Sequence, residues 1–475
     1  MHNMLQRLIF VAEKTPDSPA IGSSKTTLSF SELLDTSLRF SKWLEAQGAK
    51  PGDLVALDLD PELECVFVFA CYAAGVSSCR GVPDAELLLE IGVKFVIRQS
   101  SVDVQSKPVT LLVSESVMQE IGAYPDEELS PSPQTHDSGN IFFSSGTTGK
   151  PKSIFVSAED LQIRERFVRA GRISGRYMAL IGLGTFGGFM TMLSQIVNGK
   201  PYLVAGSVEN NVSVIFGWNV EKIFASPPQL EALLNQSISS QRSLALEEVQ
   251  STGTGISAKL VRRIQGETGA KVKSVYASTE AGLVAIKSDG WEDPTYAGEL
   301  IEGVEARVVD VFGAEVEEGQ SGRVKISAPG QASSYLNDSD LGATNFPDGW
   351  FLPGDFGLLR GRSLFLLGRQ SEILNAGGVK VDPSAIDQLA VEFDGVDDAA
   401  SFAFLSDSEV QTTGLAFVSS NPPKPEILRL FIARKFGEAA PTYFFRVAQI
   451  PRNELGKPMR SALAARFESK RDKNA

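Results

Sequence analysis

The sequence predicts an α/β fold with a large N-terminal region of layered αβ subdomains, a small β-rich subdomain and a small α+β C-terminal domain. In the first third, a helical pattern from Ser29 to Gln47 precedes the strand-like LVALDL at residues 54–59, and this alternation continues. From Gly298 to Leu367, short strand patterns are separated by Gly and Asp turns. The chain after Arg369 has two helical patterns of its own, which indicates a separate domain.

Length and charge limit the classes of protein to consider. The chain has 475 residues, more than one compact core usually holds, and we place the domains at 1–368 and 369–475. The net charge of −13 argues against general affinity for nucleic acid or anionic membranes. The N-terminus lacks a signal-peptide pattern, and the longest apolar run is too short to span a membrane. We therefore expect a cytoplasmic protein.

Two further local patterns are structural. Ser29 and Glu32 have the spacing of a capping box, which predicts the start of a helix. Cys65, Cys71 and Cys79 lie in or near the longest apolar run, and the chain has only two histidines. This pattern favours buried, reduced thiols over a Cys/His metal site.

The stretch SSGTTGKPK at residues 144–152 is rich in hydroxyl groups, glycines and lysines, and it follows the apolar IFF. It is not a Walker loop, because Pro151 follows Gly149-Lys150 and Ser144 stands where that loop has its first glycine. Its hydroxyl and backbone N–H groups can nevertheless surround a polyphosphate. A solvated surface turn is the alternative, and the unbroken polar run after a strand-like lead-in favours phosphate.

Four later elements are weak signals when taken singly, because each is also typical of an ordinary turn. YASTE at 276–280 offers a ring for a base, a hydroxyl for a phosphoryl oxygen and a carboxylate for Mg²⁺. GWFLPGD ends in Asp355, which can accept hydrogen bonds from a ribose diol. The third element, residues 368–383, contains a glycine pair, and the fourth places Lys457 on a Gly-Lys-Pro turn.

Together and in this order, the five elements resemble those of the adenylate-forming superfamily, which comprises acyl-CoA synthetases, adenylation enzymes and luciferases. SSGTTGKPK matches the superfamily's phosphate motif at every position. YASTE is similar to its Tyr-Gly-x-Thr-Glu element, with Ala277 in place of Gly, and GWFLPGD differs from its counterpart in having Pro353 in place of Thr. The resemblance covers most of the chain.

The resemblance implies an AMP-forming acid–thiol ligase that uses ATP and Mg²⁺. A carboxylate attacks the α-phosphate of ATP, which gives acyl-AMP and pyrophosphate, and the acyl group then passes to a thiol. We favour the thiol of CoA. The alternative is a stand-alone adenylation enzyme that loads the phosphopantetheine of an acyl or peptidyl carrier protein.

By the same resemblance, Lys457 bridges carboxylate and α-phosphate, Thr279 contacts the α-phosphate and Glu280 binds Mg²⁺. Tyr276 stacks on adenine, and Asp355 and Arg369 hold the ribose. The implied ATP- and AMP-binding residues lie in the motifs and in a glycine turn: Ser144, Ser145, Gly146, Thr147, Thr148, Gly149, Lys152, Thr252, Gly253, Thr254, Tyr276, Ala277, Ser278, Thr279, Asp355, Arg369 and Lys457. The implied substrate pocket consists of Phe186, Gly187, Gly188, Ser226, Pro227, Gly255 and Ala277.

The resemblance further implies that the C-terminal domain is mobile and rotates between the two half-reactions. Ser371 takes the hinge position, where relatives usually have Asp or Lys, and Gly377 and Gly378 would line the tunnel for the thiol. Residues 182–193 lack the Asp with which amino-acid-activating relatives bind an ammonium group. We therefore expect an aryl or a short- to medium-chain aliphatic acid.

Two other classes of function are compatible with parts of the sequence. Residues 253–258 fit Gly-x-Gly-x-x-Ala, the pattern of a dinucleotide-binding oxidoreductase, although they lie in the middle of the chain. A superfamily member that has kept the motifs and lost the reaction would be a binding or regulatory protein. The presence of Glu280, Asp355, Arg369 and Lys457 argues against that second alternative.

Overall fold

The structure, a computed structural model, describes residues 4–80, 84–99, 108–126, 129–131, 138–144, 151–170, 175–369, 374–376, 379–405, 411–452 and 457–468. The helices are α1 (Met4–Lys14), α2 (Phe30–Ala46), α3 (Pro61–Ala74), α4 (Ala85–Glu90), α5 (Glu115–Gly122), α6 (Ala158–Ala170), α7 (Phe186–Val197), α8 (Val208–Gly217), α9 (Pro227–Ser239), α10 (Ala258–Thr268), α11 (Ser339–Asn345), α12 (Pro383–Val391), α13 (Pro425–Phe436) and α14 (Arg460–Glu468).

The strands alternate with these helices in the first part of the chain and follow one another in the second. They are β1 (Pro19–Gly22), β2 (Thr27–Ser29), β3 (Leu54–Asp58), β4 (Ser77–Arg80), β5 (Val93–Arg98), β6 (Val109–Leu112), β7 (Gly139–Ser144), β8 (Lys152–Ser157), β9 (Tyr177–Ala179), β10 (Tyr202–Leu203), β11 (Lys222–Ala225), β12 (Glu248–Ser251), β13 (Lys271–Ser278), β14 (Gly282–Lys287), β15 (Tyr296–Leu300), β16 (Glu305–Val309), β17 (Gly322–Ser327), β18 (Asp355–Arg360), β19 (Ser363–Arg369), β20 (Leu374–Ala376), β21 (Val379–Val381), β22 (Asp398–Leu405), β23 (Gln411–Val418) and β24 (Tyr443–Arg446).

The chain folds as two compact units, each assembled from separated segments. Unit one comprises Met1–Ile223, Ser278–Leu283 and Ala328–Phe351. Unit two comprises Phe224–Ala277, Val284–Ser327 and Leu352–Ala475. The domain boundary at residue 369 stays a prediction.

Unit one contains a six-stranded sheet in the order β6-β5-β3-β4-β7-β8. Its strands are parallel except for the hairpin-like pair β7 and β8. Parallel neighbours need crossover connections, and helices such as α3 supply them. This is the layered αβ arrangement that the alternating sequence pattern predicts.

Two helices of unit one illustrate how local sequence determines their limits. The predicted capping box is confirmed, because the Ser29 side chain accepts from the Glu32 N–H at the start of α2 and the Glu32 side chain accepts from the Ser29 N–H. Helix α3 begins with Pro61 and ends at Gly75, whose φ of 69° is the left-handed conformation that favours glycine. Every residue from Glu64 to Ala74 is buried, so α3 runs through the interior of this unit.

Unit two contains a run of neighbouring strands in the order β16-β17-β18-β19-β15-β14-β13-β12. The pairs from β14 through β19 that the register defines are antiparallel, whereas β12 and β13 are parallel. The stretch predicted to be β-rich, Gly298 to Leu367, supplies most of the antiparallel strands. The prediction of a small β-rich part is therefore confirmed.

The end of the chain forms a three-stranded sheet, β22-β23-β24, with helices on both faces. Successive strand residues point to opposite faces. Accordingly, Ala399 and Leu415 pack with residues of α12 and α13, whereas Phe402 packs with Leu463 and Phe467 of α14. The predicted α+β character of the C-terminal part is confirmed.

The three cysteines of the chain are buried in the fold. Cys65, Cys71 and Cys79 are free and buried, and burial raises the pKa of each thiol. Among the residues that the structure describes, no helix combines the length and the apolar character needed to cross a bilayer.

Phe402 is 1% exposed and its ring stacks near that of Phe467, with centroids 5.6 Å apart. We expect Phe402→Ala to lower the free energy of unfolding of the C-terminal sheet by about 3–5 kcal/mol, because the lost ring leaves a cavity between the sheet and α14. Hydrogen exchange of peptides from β22 and β23 measures this loss. Phe312→Ala is the control, because Phe312 is 92% exposed. Equal protection of the two variants would contradict the packing described.

Candidate active site

The two ends of the phosphate motif are held by a pair of neighbouring strands. Ser144 closes β7 and pairs with Lys152, which opens β8. The Lys152 ammonium lies over the ring of Tyr335, 5.0 Å from its centroid. Asn337 fixes the start of β8 by accepting from the Ser153 N–H at 2.9 Å and donating to the Pro151 carbonyl at 3.0 Å. The predictions for Ser145, Gly146, Thr147, Thr148 and Gly149 lie outside the described residues.

Thr279 and Glu280 are anchored through their backbone by a buried arginine. Arg164 on α6 donates to the carbonyl of Thr279 at 2.7 Å, to that of Glu280 at 2.9 Å and to that of Gly330 at 2.7 Å. Burial lowers the pKa of Arg164 to about 10, while the nearby charges of Asp160 and Glu280 oppose that shift. At neutral pH the guanidinium is therefore still charged, and its three hydrogen bonds are charge-assisted.

The Glu280 carboxylate is held as well. It is 8% exposed and accepts a hydrogen bond from the hydroxyl of Tyr335 at 3.2 Å. Tyr335 in turn accepts from the Asn345 side chain at 3.1 Å, and its ring packs edge-on against Phe346. The Tyr335 hydroxyl thus restrains the carboxylate, while Arg164 restrains the backbone that carries it.

A magnesium ion would find an oxygen ligand in Glu280. Mg²⁺ in nucleotide sites is usually bound by one or two carboxylates together with the phosphates of the substrate. No cluster of three or more metal-ligating side chains occurs in the parts of the chain that the structure describes. A single fixed carboxylate fits an ion bound mainly through phosphate and does not fit a protein-caged metal.

The predicted acid pocket begins at the first turn of α7. Thr185 caps this helix by accepting from the Gly188 N–H at 3.0 Å. The Phe186 ring lies edge-on to Phe142, with centroids 5.3 Å apart, and the Arg164 guanidinium lies 4.8 Å from its centre. Gly188 has a packing reason to be glycine, because a Cβ there would lie 2.2 Å from the carbonyl oxygen of Gly182.

In unit two, the residues predicted to hold adenosine come together. Asp355 and Arg369 are paired residues of β18 and β19, and the Arg369 Nε lies 3.3 Å from the Asp355 carboxylate. The Tyr276 hydroxyl donates a hydrogen bond to the other carboxylate oxygen of Asp355. Asp355 is 7% exposed, so a tyrosine of β13 and an arginine of β19 fix a largely buried acceptor.

The glycine turn at 252–255 lies at the ends of strands in the same unit. The Thr252 N–H donates to the carbonyl of Ala225, and its hydroxyl donates to that of Val275. Gly253 has a φ of 88°, which favours glycine. A Cβ at Gly255 would lie 2.0 Å from the Gln388 side chain, so α12 comes close to this turn.

Other predicted residues have local structural roles or positions. Ser226 precedes Pro227 and caps α9, where its hydroxyl donates to the Gln229 side chain at 3.0 Å. The Ser278 hydroxyl accepts from the Ala281 N–H, which closes the turn before β14. Ala277 is exposed.

The C-terminal predictions are only partly within the described residues. Lys457 is half-buried and lies between the two residues of a β-bridge, Arg452 and Pro458, immediately before Pro458. Ser371, Gly377 and Gly378 lie outside the described residues, and β20 and β21 pair on either side of the glycines.

Sequence reasoning missed Arg164, Tyr335 and Gln388. Each acts on a residue far away in the chain, such as Glu280, which lies 116 residues from Arg164 and 55 from Tyr335. None of the three belongs to a motif. No local pattern marks them either, since Arg164 stands in a helix rich in charged residues and Tyr335 in a polar stretch.

Known proteins are similar to this chain along most of its length, at about a quarter of identical residues. The fatty acid–[acyl-carrier-protein] ligase ScoC of Streptomyces coeruleorubidus is 24% identical and covers 98% of this chain and 97% of its own. The 2-succinylbenzoate–CoA ligase of Bacillus subtilis strain 168 is 24% identical, with coverages of 95% and 96%.

Among solved structures, the O-succinylbenzoate coenzyme A synthetase MenE from Bacillus subtilis, in complex with ATP and a magnesium ion, has the same fold. Its TM-score is 0.83 at 21% identity, over 96% of this chain and 98% of that chain. A profile described as AMP-binding enzyme matches residues 10–336, which is more than half of the chain. The chain therefore belongs to the AMP-binding enzyme family, within the adenylate-forming superfamily that its five motifs predict.

Proposed function

We propose that the protein activates a carboxylic acid with ATP and then transfers the acyl group to the thiol of CoA. In the first step a carboxylate oxygen forms a bond to the α-phosphorus, and the bond from that phosphorus to the pyrophosphate oxygen breaks. In the second step the thiol loses its proton and its sulfur bonds to the acyl carbon, while the bond from that carbon to the phosphate oxygen breaks and AMP leaves. The family assignment favours this reaction over the dinucleotide-binding alternative.

The arrangement of Tyr276, Asp355 and Arg369 is the observation that carries the proposal. Asp355 presents a carboxylate, fixed by two partners, of the kind that accepts both hydroxyls of a ribose. Tyr276 places an aromatic ring beside it, suited to stacking on a base. The three side chains thus offer contacts for the base and for the ribose of a nucleoside, all within unit two.

The reacting phosphate needs positive charge, because both the attacking carboxylate and the ATP phosphates are anionic. A magnesium ion bound by Glu280 would neutralise phosphate charge and orient the attack. Thr279 would donate its hydroxyl to an α-phosphate oxygen, from a backbone that Arg164 holds in place. Lys457 would bridge the two anions in the adenylation step.

The surroundings of Phe186 support an uncharged aryl or a short- to medium-chain acid. Phe142, Phe186 and Phe189 form an aromatic group in which both contacts of Phe142 are edge-on. Such walls favour flat or slender apolar groups, and the first turn of α7 has no acidic residue to hold an ammonium group.

A carrier-protein thiol is the second candidate acceptor. It is favoured by one observation, the end-to-end similarity to a ligase named for an acyl carrier protein. For either acceptor, we propose that residues 369–475 form a domain that rotates about Ser371 and that Gly377 and Gly378 line the thiol tunnel. We also propose that the protein works in the cytoplasm.

Pyrophosphate release tests the proposal directly. The protein is incubated with ATP, Mg²⁺ and aryl, short-, medium- or long-chain acids or amino acids, each with and without CoA. Release that depends on the acid and is faster with CoA is the expected result. Release that CoA leaves unchanged would point to a carrier protein, and a lack of release with every acid would refute the proposed function.

Asp355→Ala should raise the KM for ATP about 10- to 100-fold, because it removes charge-assisted hydrogen bonds to the ribose. The KM for the acid should change little. Steady-state kinetics with each substrate varied in turn measures both constants. Asp394→Ala is the control, since Asp394 is exposed in the same unit. A parallel rise in both KM values would argue against a ribose contact.

Lys457→Ala should slow acyl-AMP formation by about 10²- to 10³-fold, the usual effect of losing one preorganised donor. Thioester formation from supplied acyl-AMP should remain, because the bridging role belongs to adenylation alone. The two half-reactions are followed separately by pyrophosphate release and by thioester yield. Lys424→Ala, at an exposed lysine of the same unit, is the control. Equal loss in both half-reactions would show that the assigned role is wrong.

A further inference from the structure

Unit one contains a small cavity with a charged pair in its wall. Its volume is about 20 Å³, enough for roughly one water-sized group. Glu64 of α3 and Arg80 at the end of β4 contribute the charges, while Phe142, Leu183 and Phe189 contribute apolar surface.

Glu64 lies in a buried position, where a carboxylate is unfavourable unless other groups bind it. Ten consecutive buried residues, Cys65 to Ala74, follow it in α3, and Glu64 itself is 4% exposed. Within the part of the chain that the structure describes, nothing forms a hydrogen bond with its buried Oε2 atom, and the Arg80 Nε lies 3.7 Å away. That distance makes an ion pair but is too long for a hydrogen bond. A buried carboxylate oxygen left in this state is strongly unfavourable unless another group supplies a donor.

The neighbouring polar groups are already engaged with one another. The Tyr72 hydroxyl donates to the Asn140 side chain at 2.6 Å, and Asn140 donates to the Ser78 hydroxyl at 2.8 Å. Asn140 and Ser78 line the same cavity. The hydrogen-bonding capacity that faces the space therefore comes chiefly from Glu64 and from Arg80, whose side chain is 43% exposed.

The cavity adjoins the proposed acid pocket. Phe142 and Phe189 line it, and the Phe142 ring also contacts Phe186, the first residue of α7. Arg80 lies against the segment that leads into α7, because a Cβ at Gly184 would be 2.8 Å from its Cδ. A substrate chain that runs past Phe186 would thus end near the charged pair.

The chemistry of the pair selects one kind of terminal group. A carboxylate would be repelled by Glu64, an ammonium group by Arg80, and a methyl group would leave Oε2 unsatisfied. A hydroxyl oxygen can accept from Arg80 and donate to Glu64 at the same time. Two groups 3.7 Å apart can both lie within hydrogen-bond distance of one oxygen atom.

Protonation of Glu64 keeps the contact with a hydroxyl group, whereas the repulsion of a carboxylate requires the ionised form of Glu64. Burial raises the pKa of Glu64 to about 7; the Arg80 charge opposes the rise and that of Asp58 adds to it. A hydroxyl group can donate to the ionised carboxylate or accept from the protonated one.

Resting on the proposed function, we propose that Glu64 and Arg80 form a specificity site for a hydroxyl group at the far end of the acid. The substrate class is then a hydroxy acid with an apolar body, either aromatic or aliphatic. An ordered water in the cavity is the competing occupant, and it would give no preference among acids.

The test compares acids that differ only at the far end. The probes are para-hydroxybenzoate, benzoate, para-aminobenzoate and terephthalate, and ω-hydroxyoctanoate with octanoate. We expect kcat/KM for pyrophosphate release to favour the hydroxy acid of at least one pair by about 10- to 100-fold, the usual range for hydrogen bonds to charged groups. Calorimetric binding of the same acids should show the same order.

Variants of Glu64 and Arg80 show whether a preference for hydroxy acids comes from these two side chains. Glu64→Leu and Arg80→Met should abolish the preference and leave the rate with the unsubstituted acid within about threefold, because uniform apolar binding remains. Glu64→Gln keeps both a donor and an acceptor, so it should retain part of the preference. The retained rate of Glu64→Leu with the unsubstituted acid shows that this variant is folded. Glu90→Leu, at an exposed glutamate of the same unit, is the control.

The outcomes separate this inference from the proposed function. Release with the acids but equal rates within each pair, or a preference that survives in both Glu64→Leu and Arg80→Met, would overturn the specificity site and leave the ligase intact. A lack of pyrophosphate release with every acid would overturn the proposed function and the specificity site with it.

Discussion

The three hydrogen bonds of the Arg164 guanidinium hold together a unit made from separated pieces of chain. Arg164 belongs to the long N-terminal segment, Thr279 and Glu280 to a six-residue insertion, and Gly330 to a third segment. Buried carbonyl groups need donors, and a buried guanidinium needs several acceptors in one plane. Because the carbonyl groups and the guanidinium satisfy each other, the loop that carries Glu280 has a fixed backbone. This backbone sets the position of the Glu280 carboxylate.

The same arginine connects the predicted acid pocket with the predicted metal ligand. Its guanidinium carbon lies over the ring of Phe186, in the predicted acid pocket, while its N–H groups bind the backbone of the predicted metal ligand. Tyr335 plays a parallel part, since its hydroxyl restrains the Glu280 carboxylate and its ring lies under the Lys152 ammonium. Two residues outside every motif thus connect two of the motifs with the predicted acid pocket, all within unit one.

Patterns confined to short stretches of sequence predict much of this molecule, and long-range contacts account for what they miss. The capping box at Ser29 and Glu32 depends on residues three apart, so it can be predicted from the sequence. The alternation of helices and strands likewise gives the fold class. The pairing of Asp355 with Arg369 follows from the register of β18 and β19, which no motif encodes. The contact of Gln388 with the turn at Gly255 requires the whole of unit two to be assembled.

The burial of Cys65, Cys71 and Cys79 has a practical consequence for following the chain in motion. Thiol reagents react with the thiolate, and burial both raises the pKa of these thiols and shields them. The native protein therefore presents a background almost free of label. A single cysteine introduced on an exposed helix face in each unit would accept a fluorophore selectively. Energy transfer between two such dyes would then report the separation of the labelled segments during turnover, with no native thiol to remove first.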